Sequence, residues 1–296
     1  MKSLTALIKR EYLEHRGAFL YAPAVILVVL AFIMFSGAGF GRFDFYASAG
    51  ALTGDKGFEF AFLAASALWS FYLLATLFFY YADAFSADGR NNAMLFWKSM
   101  PQSDFKILAS KMLAGLTVFP ALIVGALLVS ALIAYLAVAF VLGARVGIQV
   151  APSASFLSSA INVFAFDLAY LVLALLWYAP FFAWVGLLST LFRRWSIPLA
   201  FLVPAIAGLA ENLLFRNLIG ARDAGYILGF LRQRLDFGVG RQAVWDALQA
   251  TQTFDAAIVF NRMLAEIDWS QLVGGVGVAF LLVFVASEYR RRFVAT

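Results

Sequence analysis

Residues 88–111 gather the side chains best suited to recognition chemistry: Asp-Gly-Arg-Asn-Asn-Ala-Met-Leu-Phe-Trp-Lys-Ser-Met-Pro-Gln-Ser-Asp-Phe-Lys-Ile-Leu-Ala-Ser-Lys, a polar, partly basic island between two long apolar runs. Asp88 or Asn91 can cap a short helix whose apolar face includes Met94, Leu95 and Phe96 or Trp97. Pro101 ends that helix, and Ser103 or Asp104 then caps the next one. Arg90 and Lys98 flank the aromatic pair. Large aromatics beside positive charge have the composition of an interface anchor; they suit equally the headgroup belt of a membrane, where Trp is common. Bond-making chemistry is harder to assemble. The chain has no cysteine and one histidine, His15, which excludes disulfides and thiolate metal sites and leaves little for a histidine-based one. No G-x-x-x-x-G-K-[ST] phosphate loop occurs; Gly54-Asp55-Lys56-Gly57 lacks the spacing and follows no strand. No catalytic, cofactor-binding or metal site is therefore assigned to this chain.

The elements that position the island follow from composition. With 64% hydrophobic and 13% charged residues among 296, polar side chains are too few to cover a soluble globule. The chain reads as an all-α integral membrane protein and a single membrane domain over residues 1–296. A span needs about 20 mostly apolar residues. Six runs qualify, at residues 18–37, 60–82, 112–142, 163–191, 196–215 and 270–288. Pro120, Pro180 and Pro204 fall inside three of them and can kink them.

Orientation follows from the basic residues between runs. Lys2, Lys9, Arg10, Arg16, Arg90, Lys98, Lys106, Lys111, Arg193, Arg194, Arg290, Arg291 and Arg292 fall on one side, thirteen bases against six acids. The other side holds nine bases against ten acids. Both termini are thus expected in the cytoplasm. The net charge of +5 reflects this topology, and no nucleic-acid partner is needed to explain it.

Residues 1–16 place Leu4, Leu7, Ile8 and Tyr12 at helical spacing opposite Lys9 and Arg10, an amphipathic elbow helix on the inner membrane surface. Ala47-Ser48-Ala49 mimics a cleavage tripeptide, but the leading segment is too long for a signal peptide and carries Glu11 and Glu14. Loop 38–59 offers no recognisable chemistry. The last outer segment, 217–269, spaces Tyr226, Ile227, Phe230 and Leu231, then Ile258, Val259, Met263 and Leu264, for short helices packed on the outer membrane face, with Gly238 and Gly240 marking a turn. Polar residues inside apolar runs need a reason. Asp167 lies in the fourth run, and Glu211, Asn212 and Arg216 lie near the outer end of the fifth. They line an outer exit, or Glu211 and Arg216 form a local ion pair that lets the helix end at the interface.

The stretch Phe96-Trp97-Lys98-Ser99-Met100-Pro101-Gln102-Ser103-Asp104, with Asp88-Gly89-Arg90 before it and Ser110-Lys111 after it, resembles the signature between the second and third spans of ABC-2-type permeases. Met100 stands where the family pattern has leucine, and Asn91 and Asn92 stand where charges are common. The resemblance covers the whole chain in architecture and residues 88–111 in motif. It implies a transport subunit of the bacterial inner membrane, driven by a separate ATPase that binds ATP and Mg. Residues 89–104 would be the coupling helix, with Arg90, Leu95, Phe96, Trp97, Lys98, Met100, Pro101, Ser103 and Asp104 docking that ATPase. A second permease copy would complete the pathway, as a homodimer or with a related chain. Lipid surrounds it, and the aromatic content suits export of a hydrophobic or amphiphilic substrate. An ion-coupled carrier or a membrane-embedded enzyme is the alternative class; the one calls for polar residues near midmembrane and often internal repeats, the other for an acid, a nucleophile and a base meeting at depth.

Overall fold

The computed structural model describes residues 2–39, 55–90, 103–146, 154–215, 225–238, 240–249 and 254–293, and all regular structure among them is helical. Helix α1 (Lys2–Arg16) passes through a π-helical turn (Gly17–Tyr21) into α2 (Ala22–Gly39). Next come α3 (Asp55–Arg90), α4 (Asp104–Leu113), a second π turn (Ala114–Val118) and α5 (Phe119–Val146). A 3-10 turn (Arg193–Trp195) joins α6 (Ala154–Phe192) to α7 (Ser196–Phe215). Three short helices, α8 (Tyr226–Leu235), α9 (Arg241–Gln249) and α10 (Ala256–Glu266), precede the long α11 (Trp269–Phe293).

Five stretches among the described residues are long and apolar enough to cross a membrane: Ser3–Ser36, Ala61–Asp88, Asp104–Leu136, Leu157–Leu214 and Trp269–Arg292. The chain is a multi-pass membrane protein. Its partition differs from the six separate runs expected, because the fourth and fifth fuse into one stretch of 58 residues. A straight helix of that length would reach about 87 Å, nearly three times a hydrocarbon core of about 30 Å. The stretch therefore turns, at Arg193, whose φ of 52° breaks the helix. Helix α7 then folds back along α6. Trp184 Nε1 donates to the Ala200 carbonyl at 3.4 Å, and Val185, Leu188, Ala200 and Ala82 share one apolar cluster. In this fourth stretch 61% of the most apolar window is buried, against 11% in the first, so it forms the inner column and α2 the rim. Helix α6 packs against α3, α7, α10 and α11.

Both π turns have the same cause. Pro23 and Pro120 each follow two residues after a π turn, and each ring opposes the carbonyl four residues back, Phe19 or Leu116, which lies inside the turn. The helix widens there instead of breaking. Phe19 and Phe119 stack at 3.8 Å, tying the two sites together. Tyrosines of α3 serve carbonyls near them: Tyr72 donates to Ala18 O at 2.6 Å, Tyr81 to Met112 O at 2.9 Å and Tyr80 to Lys111 O at 3.2 Å. Kinks were expected at Pro120, Pro180 and Pro204; Pro180 and Pro204 sit inside α6 and α7.

The expected short helices of the last outer segment are present. Asp255 caps α10 by accepting from the Ala257 and Ile258 N–H groups. Asp268 starts α11; the Ser270 hydroxyl and then the Gln271 N–H hold its carboxyl below the usual carboxylate range. Helix α8 lies deeper than a surface cap. Arg234 sits with its guanidinium 4.1 Å from the Trp177 ring and donates to Trp177 O at 3.0 Å and Gln271 O at 2.8 Å. A Cβ at Gly275 would fall on that guanidinium, so the glycine makes the room. Trp177 and Gly275 each lie fifteen residues along their helices from Phe192 and Arg290, about 22 Å at 1.5 Å per residue.

The glycines of the apolar runs divide on this basis. Gly186, Gly208 and Gly275 meet Phe85, Leu228 and Arg234, whereas Gly125, Gly274 and Gly277 have open space beside them. Gly275→Ala is expected to cost about 1–3 kcal/mol by overpacking, and Gly274→Ala and Gly277→Ala to be neutral. Thermal unfolding of the purified variants in detergent checks this ordering; equal melting for all three would refute the buried position of Arg234.

Candidate functional site

At the end of the bundle that holds Arg193 and Arg290, four helices bring six charged side chains together. Helix α1 contributes Arg10 and Glu11. Helix α3 contributes Asp88 and, two turns earlier, Tyr80. Helix α4 contributes Asp104 and, two turns later, Lys111. Helix α11 contributes Arg290 from its last turns. Glu11, Asp88, Lys111 and Arg290 are all at most 2% exposed, so these are charges removed from water.

The geometry is a chain of opposite charges. Lys111 Nζ lies 3.1 Å from Glu11 Oε1 and 3.6 Å from Asp88 Oδ2. Arg290 Nη1 is 3.0 Å from Asp88 Oδ2, and its Nε is 2.9 Å from Asp104 Oδ1. Arg10 Nη2 stands 3.6 Å from Asp88 Oδ1 and 3.6 Å from Glu14 Oε2. Tyr80 donates to Glu11 Oε2 at 3.1 Å, and His15 packs edge-on to the Tyr80 ring at 4.7 Å. Three acids (Glu11, Asp88, Asp104) meet three bases (Arg10, Lys111, Arg290), so the cluster is near neutral. Arg290 Nε and Nη2 lack aligned hydrogen bonds, and so proximity of charge more than directed bonding holds that guanidinium.

The local sequence explains the positions. Asp88 does not cap a short helix, as one expectation had it; α3 runs on to Arg90 and turns the Asp88 carboxylate inward. Ser103 does cap, accepting from the Lys106 N–H at 3.3 Å, and Asp104 in the first turn complements the helix dipole while pairing with Arg290. Lys106 Nζ reaches Ser3 Oγ at 2.5 Å, a second tie between α4 and α1.

Of the residues singled out for docking, Ser103 and Asp104 are described, at the start of α4. Arg90 ends α3, and its side chain, with Leu95, Phe96, Trp97, Lys98, Met100 and Pro101, lies outside the described residues. What the structure adds is the footing of that segment: Asp88 before it and Asp104 after it share one guanidinium. Sequence reasoning used Arg290 for topology and Lys111 for topology and the motif, and missed their pairing. The available signal was Lys111 and Asp88 at the edges of apolar runs, where each needs a partner.

The possible pathway residues are scattered. Glu211 accepts from the Tyr226 and Ile227 N–H groups, both at 2.7 Å, and so caps α8 from α7. Asn212 and Glu211 crowd Gly225, whose φ of +78° favours glycine. Arg216 lies outside the described residues. Asp167 sits elsewhere, between α6 and α3, accepting a hydrogen bond from Ser66. Glu59, fully buried at the start of α3 and unforeseen in the sequence, accepts from the Phe254 N–H at 2.9 Å and pins the outer segment. Among the described residues no three carboxylate, histidine or cysteine side chains converge as a metal site would require.

Comparison with protein-family models, with curated proteins and with solved structures finds no match to this chain. The functional reading rests on the residues and their arrangement.

Removing one partner strands a buried charge, which costs about 3–5 kcal/mol. Lys111→Met is expected to lose that much, and Glu11→Gln added to it to recover part, as a double-mutant cycle in thermal unfolding would show. Arg291→Ala and Arg292→Ala, at the exposed pair with Glu288, should leave the melting unchanged. A Lys111→Met variant as stable as the parent would contradict the network.

Proposed function

We propose that this chain is the membrane subunit of an ATP-driven transporter of the ABC-2 type, moving a hydrophobic or amphiphilic substrate outward across a bacterial inner membrane. The fold-back of α7 on α6 turns five apolar stretches into six crossings, an even number that leaves both termini on one side. That side carries Arg10, Lys111, Arg193 and Arg290, and the excess of basic residues there assigns it to the cytoplasm. Asp88 and Asp104, the described residues that bracket the segment, lie at the same face. A partner ATPase binds ATP and Mg and engages Arg90, Leu95, Phe96, Trp97, Lys98, Met100 and Pro101. A second permease copy completes the pathway, most simply a homodimer.

The observation that carries this reading is the single guanidinium of Arg290 between Asp88 and Asp104. A load applied to the segment between those carboxylates passes to α3 and α4 at its ends, through Arg290 to α11, and through Lys111 and Arg10 to α1. Four of the membrane helices then move with one handle, as a transition between inward-open and outward-open arrangements requires. The depth of α8 agrees with this picture. Its exposed residues include the apolar Tyr226, Ile227, Phe230 and Leu235 beside the polar Arg232 and Gln233, the mixed face of a short helix lying where bilayer and water meet.

The test is co-purification with the ATPase encoded beside this chain. Replacing Phe96 and Trp97 together by Ala is expected to weaken the association at least tenfold, as loss of aromatic anchors does, and to abolish stimulation of ATP hydrolysis. Retained association with retained stimulation would remove the docking role.

A further inference from the structure

Asp167 has one carboxyl oxygen engaged and one free. The residue is 7% exposed; its carboxyl accepts from Ser66 on α3, while Oδ2 is enclosed without a hydrogen-bond partner. Asp167 lines a cavity of about 20 Å³ between α3, α5 and α6, whose walls include Ser70, Trp69, Leu127, Phe164 and Leu168. The indole N–H of the lining Trp69 is engaged elsewhere: Trp69 Nε1 donates to Ser130 Oγ at 2.9 Å, and that hydroxyl donates to Ala126 O at 2.9 Å. An ionised carboxylate in such surroundings needs a cation, and a neutral one needs an acceptor for its proton. In either form Oδ2 is left without a partner.

The niche reaches the flank of the bundle. Leu168 is 44% exposed, and Ser70, Val124 and Phe164 are half-buried. A ligand head can enter here while its tail stays in hydrocarbon. We propose that this niche binds the primary ammonium head of an amphiphilic amine, with the charge against Asp167 Oδ2, one N–H on the Ser70 hydroxyl, and the alkyl chain along Phe164 and Leu168. Size sets the selectivity: a space of about 20 Å³ holds one water-sized group, which admits –NH₃⁺ and excludes a trimethylammonium head. The inference deepens the transporter reading by naming a cargo class, and it rests on that reading only for the amine being carried and not merely bound.

The experiment uses the full chain in phosphatidylcholine nanodiscs without any ATPase, with dodecylamine, dodecyltrimethylammonium and dodecanol titrated calorimetrically. Dodecylamine is expected to bind saturably at one site per chain, and Asp167→Asn to weaken it at least tenfold. Ser70→Phe, which fills the niche and leaves the carboxyl in place, is expected to weaken it equally, and the other two amphiphiles to treat all three proteins alike. Thermal unfolding in the same discs confirms that the variants are folded. Undiminished dodecylamine binding by Asp167→Asn, or saturable binding of the trimethylammonium compound through Asp167, overturns the proposal. Because no nucleotide-hydrolysing partner is present, failure here leaves the docking role standing, and failure of the Phe96 and Trp97 test leaves this site standing.

Discussion

Arg290 carries a guanidinium to a position 2% exposed, and two carboxylates, Asp88 near the end of α3 and Asp104 at the start of α4, meet it there. Charges in such a place are tolerated only when each has its opposite within reach. That condition shapes this end of the molecule. It draws the amphipathic α1 onto α4 through Glu11 and Lys111, turns Asp88 inward within α3, and fixes the last turns of α11. The apolar packing of α3, α6 and α11 would allow these helices to slide or rotate somewhat against one another, because dispersion contacts have little directionality. The ionic cluster does not, since a shift of a few ångströms would strand a charge. It therefore sets the relative height of the helices.

Much of this architecture can be read from the residues. The long apolar runs of α3, α5, α6 and α11 are evident from hydropathy, and the Ser103 cap and the amphipathic spacing of α1 follow from local rules that tertiary packing did not override. The number of separate stretches was less plain, since Arg193 and Arg194 are the sole polar break between α6 and α7 and the turn itself rests on one residue of positive φ. Asp88 misled because a carboxylate near a helix end suits a cap as well as a buried pair, and only the arrival of Arg290 from 202 residues away decides between them. Glu59 was hidden for the same reason: its partner is the backbone of Phe254, and main-chain groups leave no trace in composition. Glu211 was legible as a residue that needed a partner, but the partner proved to be the open N–H groups of α8.

The half of the bundle away from Arg290 is organised by a different solution to the same solvation problem. Arg234 has the Trp177 and Gln271 carbonyls and an indole face where Arg290 has carboxylates. Carbonyl oxygens and a π face neutralise less charge than an anion does, yet they require no second ion to be dehydrated. Helix α8 is thus attached to both α6 and α11 by one side chain, with Gly275 left bare to admit it. At the end that holds Arg290 the helices are joined by ion pairs, and at the opposite end by a cation inserted among dipoles.

The two π turns bear on how the helices face one another. Inward residues recur every four positions through α1 and α2, at Leu7, Glu11, Phe19 and Pro23, and through α4 and α5, at Ile107, Lys111, Gly115, Phe119, Ile123 and Leu127. On an ordinary helix a four-residue repeat gains about 40° each step and would wind from the core out to the lipid within four steps. One inserted residue gives back about 100°. Pro23 and Pro120 thereby act as azimuthal correctors, and a single stripe of side chains stays on the buried side of each helix beyond the ionic cluster.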